Sequence, residues 1–283
     1  MPAEAPHNAL PRRASALLRR SARLLLIAIC AGTAACGFRG SAQPLRVMSY
    51  NIAAGHGDLA AIATVIREAD PDIVALQEVD VHWSERSGLA DQAAALADAL
   101  GMHVRFAPIY HVADDPPREF GLAILSRYPV VEFTNHVIPR LSTQVEEAEP
   151  RPMPGFPQAV VDIGGTRIHV FDTHLDYRAD PRVRVQQVAA MLRVMENVAA
   201  PVILMGDLNA QPDAPELQPL FGLLRDAWRD GGGDGAGYTY PGESPVRRID
   251  YVMTSGHFEV RSAMVPVTTA SDHRPVVVEL VMR

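Results

Sequence analysis

Short apolar runs that end in polar residues recur along the chain. The clearest is residues 202–205, where four apolar side chains are followed by Gly206, Asp207 and Asn209. A short apolar run bounded by turn-forming residues is typical of a buried strand. Side chains two residues apart in an extended chain point to the same side. The stretch therefore predicts either a polar site at the edge of a sheet or an ordinary turn, because Gly, Asp and Asn all favour turns.

The other predicted strands end in the same way. Each carries a polar side chain at or near its last apolar residue: Asn51 after 45–50, Glu78 after 73–77, His174 after 166–171, and Asp250 within 248–252. Ligand sites of open α/β sheets lie beyond the ends of such strands. Together these residues predict one oxygen-rich site.

Helical periodicity separates the strands. The predicted helices cover residues 58–69, 89–100 and 181–198, and a further one starts near 213. On the third, Val185, Val188, Leu192 and Met195 are expected to share the buried face. Alternation of strands and helices predicts one α/β domain with mixed sheets.

Two stretches interrupt this alternation. Residues 111–118 are polar and predict a loop, and residues 140–157 are acidic and rich in Pro. The second predicts a long connection, which is either disordered or part of a substrate rim.

The first 36 residues resemble a signal sequence. Several Arg precede an apolar run over 24–35, which is too short to span a bilayer but suits a signal-peptide core. Ala34 and Ala35 before Cys36 resemble a bacterial lipoprotein signal with Cys36 lipidated, although Thr33 stands where Leu is usual. Cleavage and release into the periplasm is the alternative. The predicted organisation is a signal peptide (1–36), a linker (37–44) and a folded domain (45–283), exported or anchored to a membrane.

Charge and cysteine content narrow the function classes. All 26 basic residues are Arg, which suits phosphate contacts but also fits a compositional bias. Removal of residues 1–36 removes five Arg and one Glu, so the formal charge changes from −7 to −11. A domain this acidic is not a general polyanion binder, although a local Arg patch stays possible. Cys30 and Cys36 are the only cysteines, which excludes a disulfide within the domain.

Seven sequence blocks occur in an order that resembles the endonuclease/exonuclease/phosphatase superfamily. They are SYNI at 49–52, DIVALQEV at 72–79, LAILSRYP at 122–129, THL at 173–175, GDLNAQP at 206–212, RRIDYV at 247–252 and SDHRPV at 271–276. The resemblance implies a four-layer α/β sandwich, with two mixed sheets face to face and helices outside. It also implies that 45–283 is a catalytic domain with its cleft at the sheet edges.

The metal expected at this site is Mg²⁺ or Mn²⁺. Glu78 and Asn51 offer oxygen ligands, and Asp272 is near enough to assist. Hard oxygen donors suit these ions rather than Zn²⁺. Glu78 is the best single ligand, with Asn51 beside it.

Hydrolysis of a phosphate ester needs a positioned water and a group that takes its proton. The resemblance implies that Asp250 orients His273, and that His273 polarises or deprotonates the water. Asp207 would position or activate the same water. The sequence leaves open whether Asp207 or the Asp250–His273 pair is the base.

The remaining roles concern the phosphate and the leaving group. The resemblance implies that His174 hydrogen-bonds the phosphate and assists departure of the leaving oxygen, and that Asn209 binds the phosphate. It places Glu119, just before the strand 122–126, as the acid that orients His174.

These observations predict a metal-dependent phosphoesterase, most simply a phosphodiesterase, that acts as a monomer. Its substrate could be a nucleic acid, a phospholipid head group at the cell envelope or a small phosphodiester. A non-catalytic binding protein on the same fold is the competing class. Glu78 and both histidines are present, which favours the enzyme.

Overall fold

Two six-stranded sheets form the centre of the part of the chain that the structure describes. The structure is a computed structural model that describes residues 44–146 and 149–283, apart from the side chains of residues 56 and 57. The predicted signal segment 1–36, Cys36 and linker residues 37–43 lie outside the described residues. The first sheet has the order β11-β12-β1-β2-β4-β3 and the second the order β5-β6-β7-β8-β10-β9. The strands are β1 (Leu45–Asn51), β2 (Ile73–Val81), β3 (His103–Val112), β4 (Arg118–Ser126), β5 (Val130–Arg140), β6 (Arg151–Ile163), β7 (Thr166–His174), β8 (Val202–Asp207), β9 (Arg225–Asp226), β10 (Asp250–Thr254), β11 (Phe258–Met264) and β12 (Val276–Met282).

The described helices are α1 (Leu59–Ala69), α2 (Gln92–Leu100), α3 (Arg182–Met195), α4 (Gln218–Leu223) and α5 (Ala227–Asp230), with short 3₁₀ turns at Ala53–Gly57, Glu85–Ser87 and Pro215–Leu217. Four of these five helices, α1 to α4, pack on the outer faces of the sheets, while Ala227 of α5 joins the core between them. Asp58 begins α1 as expected, since its carboxylate accepts a hydrogen bond from the Ala61 backbone NH (3.0 Å). Of the helices described, none is both long and apolar enough to cross a membrane.

Three apolar layers hold these elements together. Val47 and Ala75 of the first sheet pack against Val170 and Met205 of the second, so the main core lies between the sheets. Separate clusters join α1 and α2 to the first sheet and α3 and α4 to the second. The predicted four-layer α/β sandwich with mixed sheets is confirmed.

The buried face of α3 differs in part from the predicted one. Val188, Met191 and Met195 are buried against the second sheet, while Val185 is 50% exposed. Val188, Met191 and Met195 are three and four residues apart and share one face of the helix. Val185 lies to the side of the centre of that face.

The prediction of a long loop over 140–157 is wrong. Residues 151–157 form the first half of β6, which pairs with β5 along its whole length. Pairing with β7 begins only at Gln158, so Pro152, Pro154 and Pro157 lie where the strand has a neighbour on one side alone. Prolines are tolerated there because no second neighbour needs their missing NH groups. The predicted loop 111–118 is shorter too, since β3 ends at Val112 and β4 starts at Arg118.

Candidate active site

Strand register places three of the predicted site residues side by side. In the second sheet β7 and β8 run parallel, with His174 beside Asp207. The antiparallel neighbour β10 places Asp250 beside Asp207 on the other side. In the first sheet β1 and β2 also run parallel, so Asn51 and Glu78 reach the same end of the sandwich. The site is therefore built from the ends of β1, β7, β8 and β10 and from residue 78 of β2, so that both sheets contribute to it.

Glu78 occupies a bulge inside β2 rather than the end of the strand. The pairing of β2 with β4 shifts register between Leu76 and Val79, and β2 then continues to Val81. Glu78 has a φ of +57°, in the left-handed region that residues other than glycine rarely adopt. A bulge re-aims a side chain and is frequent beside active sites. Here it leaves the Glu78 side chain 30% exposed, in contact with the Asn51 amide.

Asn51 links the two sheets at the site. Its side-chain NH₂ donates to Glu78 Oε1 and to Asp207 Oδ2, at 3.1 Å each. Its own side-chain oxygen accepts from the Ala53 NH (3.0 Å), and the Ser271 hydroxyl donates to its backbone carbonyl (2.8 Å). Every polar group of this fully buried residue is thereby fixed.

A second cross-sheet bond lies just behind the site. Gln77 Nε2 donates to Asp172 Oδ1 at 2.7 Å, and both residues are fully buried. Burial raises the pKa of Asp172 well above its usual range. Asp172 therefore joins the two sheets directly behind the site.

Asp207 and Asn209 share a compact turn. Gly206, directly before them, has a φ of +147°, and a Cβ at that position would lie 2.1 Å from the Thr173 carbonyl oxygen. Asp207 Oδ1 accepts from the Asn209 NH (2.8 Å), and Asn209 Nδ2 donates to the Leu175 carbonyl (3.0 Å). Asn209 has a φ of +50°, a second left-handed backbone among the site residues.

His273 and Asp250 form a buried hydrogen-bonded pair. The distance from His273 Nδ1 to Asp250 Oδ2 is 2.9 Å, and the two side chains are 6% and 0% exposed. His273 Nε2 lies 3.7 Å from Asp207 Oδ2. Burial opposes the charged imidazolium, but the carboxylates of Asp250 and Asp207 outweigh it and raise the pKa of His273 to about 10. The predicted pairing of His273 with Asp250 is what the structure shows.

His174 faces the same carboxylate from the opposite side. Its Nε2 lies 3.5 Å from Asp207 Oδ2 and 4.0 Å from Glu78 Oε1, and the side chain is 17% exposed. Arg140 Nη1 donates to the His174 backbone carbonyl at 2.9 Å, which fixes the end of β7. His174 is thus partly accessible to solvent at the open side of the site.

Glu119 does not orient His174, contrary to the expectation. Its Oε1 lies 2.8 Å from His111 Nδ1 instead. The reason is register: Glu119 of β4 stands directly opposite His111 of β3, so the two side chains share one face of the sheet. In the described part of the chain no hydrogen bond or ion pair joins Glu119 to His174.

The site carries more negative charge than its own residues balance. Burial, and then the charge of Asp250, raise the pKa of Asp207 to about 6, although His273 and His174 oppose this shift. Asp250 Oδ1 is buried and accepts no hydrogen bond from any described residue. An uncompensated cluster of oxygen donors of this kind fits a divalent cation.

Two groups of residues could hold such a cation. Glu78 and Asn51 form the more open group, because Glu78 is 30% exposed, while Asp207, Asp250 and His273 offer ligand atoms within 4.8 Å of one another in the buried group. Mg²⁺ keeps several of its waters, so it needs the more open position. The exposure of Glu78 favours the first group, and the Nδ1 of His273 is already engaged by Asp250.

The third predicted ligand, Asp272, lies at the margin of the site. It is exposed, and the Ser271 hydroxyl donates to its Oδ1 at 3.4 Å. Its charge is close enough to contribute to the raised pKa of His273. The described structure gives Asp272 no direct contact with Glu78 or Asn51.

Sequence reasoning missed three residues that organise the site. Tyr240 packs its ring against His273 with centroids 4.7 Å apart, Ser271 fixes the Asn51 carbonyl, and Arg140 fixes the His174 carbonyl. Tyr240 and Arg140 belong to no short motif, so only the folded chain shows their role. Ser271 lies in the SDHRPV block, in which only Asp272 and His273 are candidate site residues by sequence.

The chain matches a known protein family. The sequence model of the Endonuclease/Exonuclease/phosphatase family matches residues 48–273. The protein cwh43 of Schizosaccharomyces pombe is 28% identical over 145 residues, which are 51% of this chain and 14% of that protein. The chain therefore spans only about one seventh of that curated relative.

Solved structures share the fold. An endonuclease/exonuclease/phosphatase from Beutenbergia cavernae is 26% identical, with a TM-score of 0.65 over 85% of this chain and 72% of that one. A mannosyl-6-phosphatase from Bacteroides thetaiotaomicron is 22% identical, with a TM-score of 0.65 over 84% and 100% of the two chains. With a family match over most of the domain and the strand-end residues in place, the chain belongs to the endonuclease/exonuclease/phosphatase family, whose fold serves hydrolytic phosphoesterases.

Proposed function

We propose that this protein is a divalent-metal-dependent phosphodiesterase. The observation that carries the proposal is the convergence of three side chains on one carboxylate oxygen. Asp207 Oδ2 lies 3.1 Å from Asn51 Nδ2, 3.5 Å from His174 Nε2 and 3.7 Å from His273 Nε2. Glu78 lies at the open side of this group. Such an arrangement suits the binding of a phosphate group together with an attacking water.

Glu78 and Asn51 would hold the metal, Mg²⁺ or Mn²⁺. When bound, the metal would act as a Lewis acid and stabilise negative charge on the phosphoryl oxygens. Asn51 would contribute its side-chain oxygen after a flip of the amide, which would exchange its bonds to Glu78, Asp207 and the Ala53 NH. Asp272, at the margin, would add negative charge.

The attacking water would be positioned between Asp207 and His273. Their facing atoms are 3.7 Å apart, so one water can reach both. Asp250 holds His273 in place through the bond to Nδ1, which leaves Nε2 directed at Asp207. Asp207 would take the proton of the water, because a pKa of about 10 keeps His273 protonated near neutral pH while Asp207, with a pKa of about 6, is largely ionised.

The other side of the site would bind the phosphate. His174 is partly exposed and can donate from Nε2 to a phosphoryl oxygen or to the leaving oxygen. Asn209 is close enough to add a second donor, after exchange of its bond to the Leu175 carbonyl. Glu119 has no part in this proposal because it pairs with His111.

The test is hydrolysis by the purified protein with Mg²⁺, with Mn²⁺ and with EDTA. The substrates are plasmid DNA, RNA, sphingomyelin and bis(p-nitrophenyl) phosphate. We expect hydrolysis of at least one substrate, abolished by EDTA and by Glu78→Gln. The matched control is Glu132→Gln. Glu132 is an exposed glutamate on β5 that pairs with Arg167. Full activity of Glu78→Gln, or hydrolysis in EDTA, would contradict the proposal.

The same assay separates the substrate classes. Cleavage of DNA or RNA would make the protein a nuclease, whereas cleavage of sphingomyelin alone would indicate a phospholipid head-group hydrolase. We also propose that the protein is exported, either anchored through Cys36 or released, and that it acts as a monomer. Residues 1–43 lie outside the described part of the chain.

A further inference from the structure

A cavity of about 70 Å³ opens beside His174, and the proposed chemistry does not use it. Three aromatic side chains, Tyr110, Phe120 and Tyr177, line it together with His174. We call this space the aromatic cavity. Its volume is several times the 10–15 Å³ or so that a single water needs. It therefore has room for part of an organic group attached to a phosphate that His174 contacts.

The aromatic walls form a cluster at the surface. Trp83 packs against Tyr110 and against Phe120, each with ring centroids 6.1 Å apart, and Tyr110 and Phe120 are stacked at 6.2 Å. All three rings are half-buried, and Tyr177 is 63% exposed. Aromatic rings left open beside an active site are typical of recognition surfaces rather than of a core.

Two arginines fix the rings that flank the cavity. The guanidinium of Arg178 lies 5.0 Å from the centre of the Tyr177 ring, and that of Arg86 lies 5.4 Å from the centre of Phe120. Arg86 is anchored by the buried Asp80, with bonds of 3.0 and 2.7 Å. A ring held in this way loses little freedom when a ligand stacks on it.

Arg178 is itself held on two sides. Its guanidinium pairs with the carboxylate of Asp176, and its Nη2 donates to the Ser142 carbonyl at 3.1 Å. The guanidinium that lies against the Tyr177 ring is therefore held in place before any ligand binds.

Polar side chains lie among the aromatic walls of the cavity. Arg140 is bonded to the His174 carbonyl, Asp176 to Arg178, and Gln187 to the Asp176 NH. A flat ring has polar edges that can face them while its faces contact the aromatic walls.

We infer that the aromatic cavity binds a planar ring of the substrate, such as a nucleobase or an aryl group. An ester would link this ring to the scissile phosphate, either through the ring's own hydroxyl group or through a sugar. The inference rests on the proposed phosphodiesterase function and names the substrate class of that site. Tyr177 forms the exposed wall and Phe120 the inner one. Stacking of a base on an aromatic side chain contributes about 1–3 kcal/mol, which is about 5- to 150-fold in affinity.

Calorimetric titration of the Mg²⁺-loaded protein with four phosphate monoesters tests the inference. Thymidine 5′-monophosphate and phenyl phosphate carry a planar ring, whereas methyl phosphate and ribose 5-phosphate do not. We expect both ring-bearing compounds to bind at least about tenfold more tightly than the other two. The inference would be overturned if ribose 5-phosphate bound as tightly as the nucleotide. It would also be overturned if phenyl phosphate and methyl phosphate bound equally well, or if neither bound detectably.

Variants locate the effect. Tyr177→Ala is expected to reduce the preference for phenyl over methyl phosphate about tenfold, and Tyr177→Phe to retain it. Tyr177 is largely exposed, so its truncation leaves the core intact. Tyr238→Ala is the matched control, since Tyr238 is also exposed (42%) but lies outside the aromatic cavity. An unchanged preference in Tyr177→Ala would overturn the inference.

The binding experiment is independent of turnover. The p-nitrophenyl esters of thymidine 5′-monophosphate and of methyl phosphate are assayed alongside it. Preferential binding of rings without hydrolysis of either ester would refute the phosphodiesterase proposal but support the aromatic cavity. Both esters carry a p-nitrophenyl ring, so their hydrolysis tests only the phosphodiesterase proposal. Hydrolysis of either ester, together with equal binding of the four monoesters, would refute the aromatic cavity alone.

Discussion

Asp250→Asn is the most informative single change in the candidate site. Asparagine keeps the shape of the side chain and an oxygen acceptor for His273 Nδ1, but it removes the charge. In the wild type that bond is 2.9 Å long and both side chains are nearly inaccessible to solvent. We therefore expect the pKa of His273 to fall from about 10 towards neutrality.

The size of the shift follows from the contact. Two unit charges 4 Å apart interact by about 4 kcal/mol at the effective dielectric constant of a protein, and one pKa unit corresponds to about 1.4 kcal/mol. Removal of the Asp250 charge should thus lower the pKa of His273 by about two to three units. Burial favours the neutral ring and acts in the same direction, while Asp207 and Asp272 keep part of the upward shift.

Nitrogen-resolved NMR of the histidine side chains, recorded in EDTA as a function of pH, measures this shift directly. The chain has ten histidines, and a spectrum of His273→Gln identifies the signal. Asp272→Asn is the matched control, because Asp272 is exposed and exposed ion pairs contribute only about 0.2–1 kcal/mol, less than one pKa unit. A fall of less than one unit in Asp250→Asn would refute the reasoning.

The same pair makes stability depend on pH. The folded-state pKa of His273 is raised from 6.5 to about 10, so its contribution to the free energy of unfolding is fully present below pH 6.5. It is lost as the pH rises through about 10. The stability difference between wild type and Asp250→Asn, measured by denaturant unfolding in EDTA, should therefore be larger at pH 6 than at pH 10.5. A difference that grows with pH would show that the charged pair is not its origin.

Three further outcomes follow from the described contacts. Glu78→Gln should lower metal-dependent kcat/KM by about a thousandfold without a change in the melting temperature, and a loss below about tenfold would exclude Glu78 as the main metal ligand. Gly206→Ala should destabilise the fold by about 3 kcal/mol or more in urea unfolding, because its Cβ would lie 2.1 Å from the Thr173 carbonyl oxygen. A change of less than about 0.5 kcal/mol would show that this position does not exclude a side chain. Arg248→Met should cost about 3–5 kcal/mol, since it leaves the buried Asp226 carboxylate without the two bonds of 3.0 and 2.6 Å; wild-type stability would show that the pair adds nothing.

Much of the fold can be predicted from the sequence because its signals are local. The apolar run 202–205 became β8, and the strand predicted over 166–171 became β7. Apolar runs of strand length and turn residues act within a few neighbours, so the printed sequence carries them. The prolines of β6 misled the prediction because their tolerance depends on which side of a strand has a partner, and that is a property of the sheet.

The candidate site divides in the same way. Glu78, Asn51 and Asp207 stand out in the sequence, since polar residues at the ends of apolar runs are visible without a structure. The bulge that turns Glu78 into the cleft is not visible, because it comes from a shift in pairing between β2 and β4. The pairing of Glu119 was missed for a related reason, since its partner His111 is set by the register of β3 against β4.

The sequence alone thus determined which residues carry the chemistry, because residue type and the alternation of apolar and polar positions are local properties. Only the tertiary structure decided which of them meet. His174, Asp207 and Asp250 are neighbours through strand pairing, and Asn51 joins them across two sheets. The aromatic cavity is the clearest case. Its walls come from β3, β4 and the turn after β7, and no sequence period links side chains that are brought together only by long-range packing.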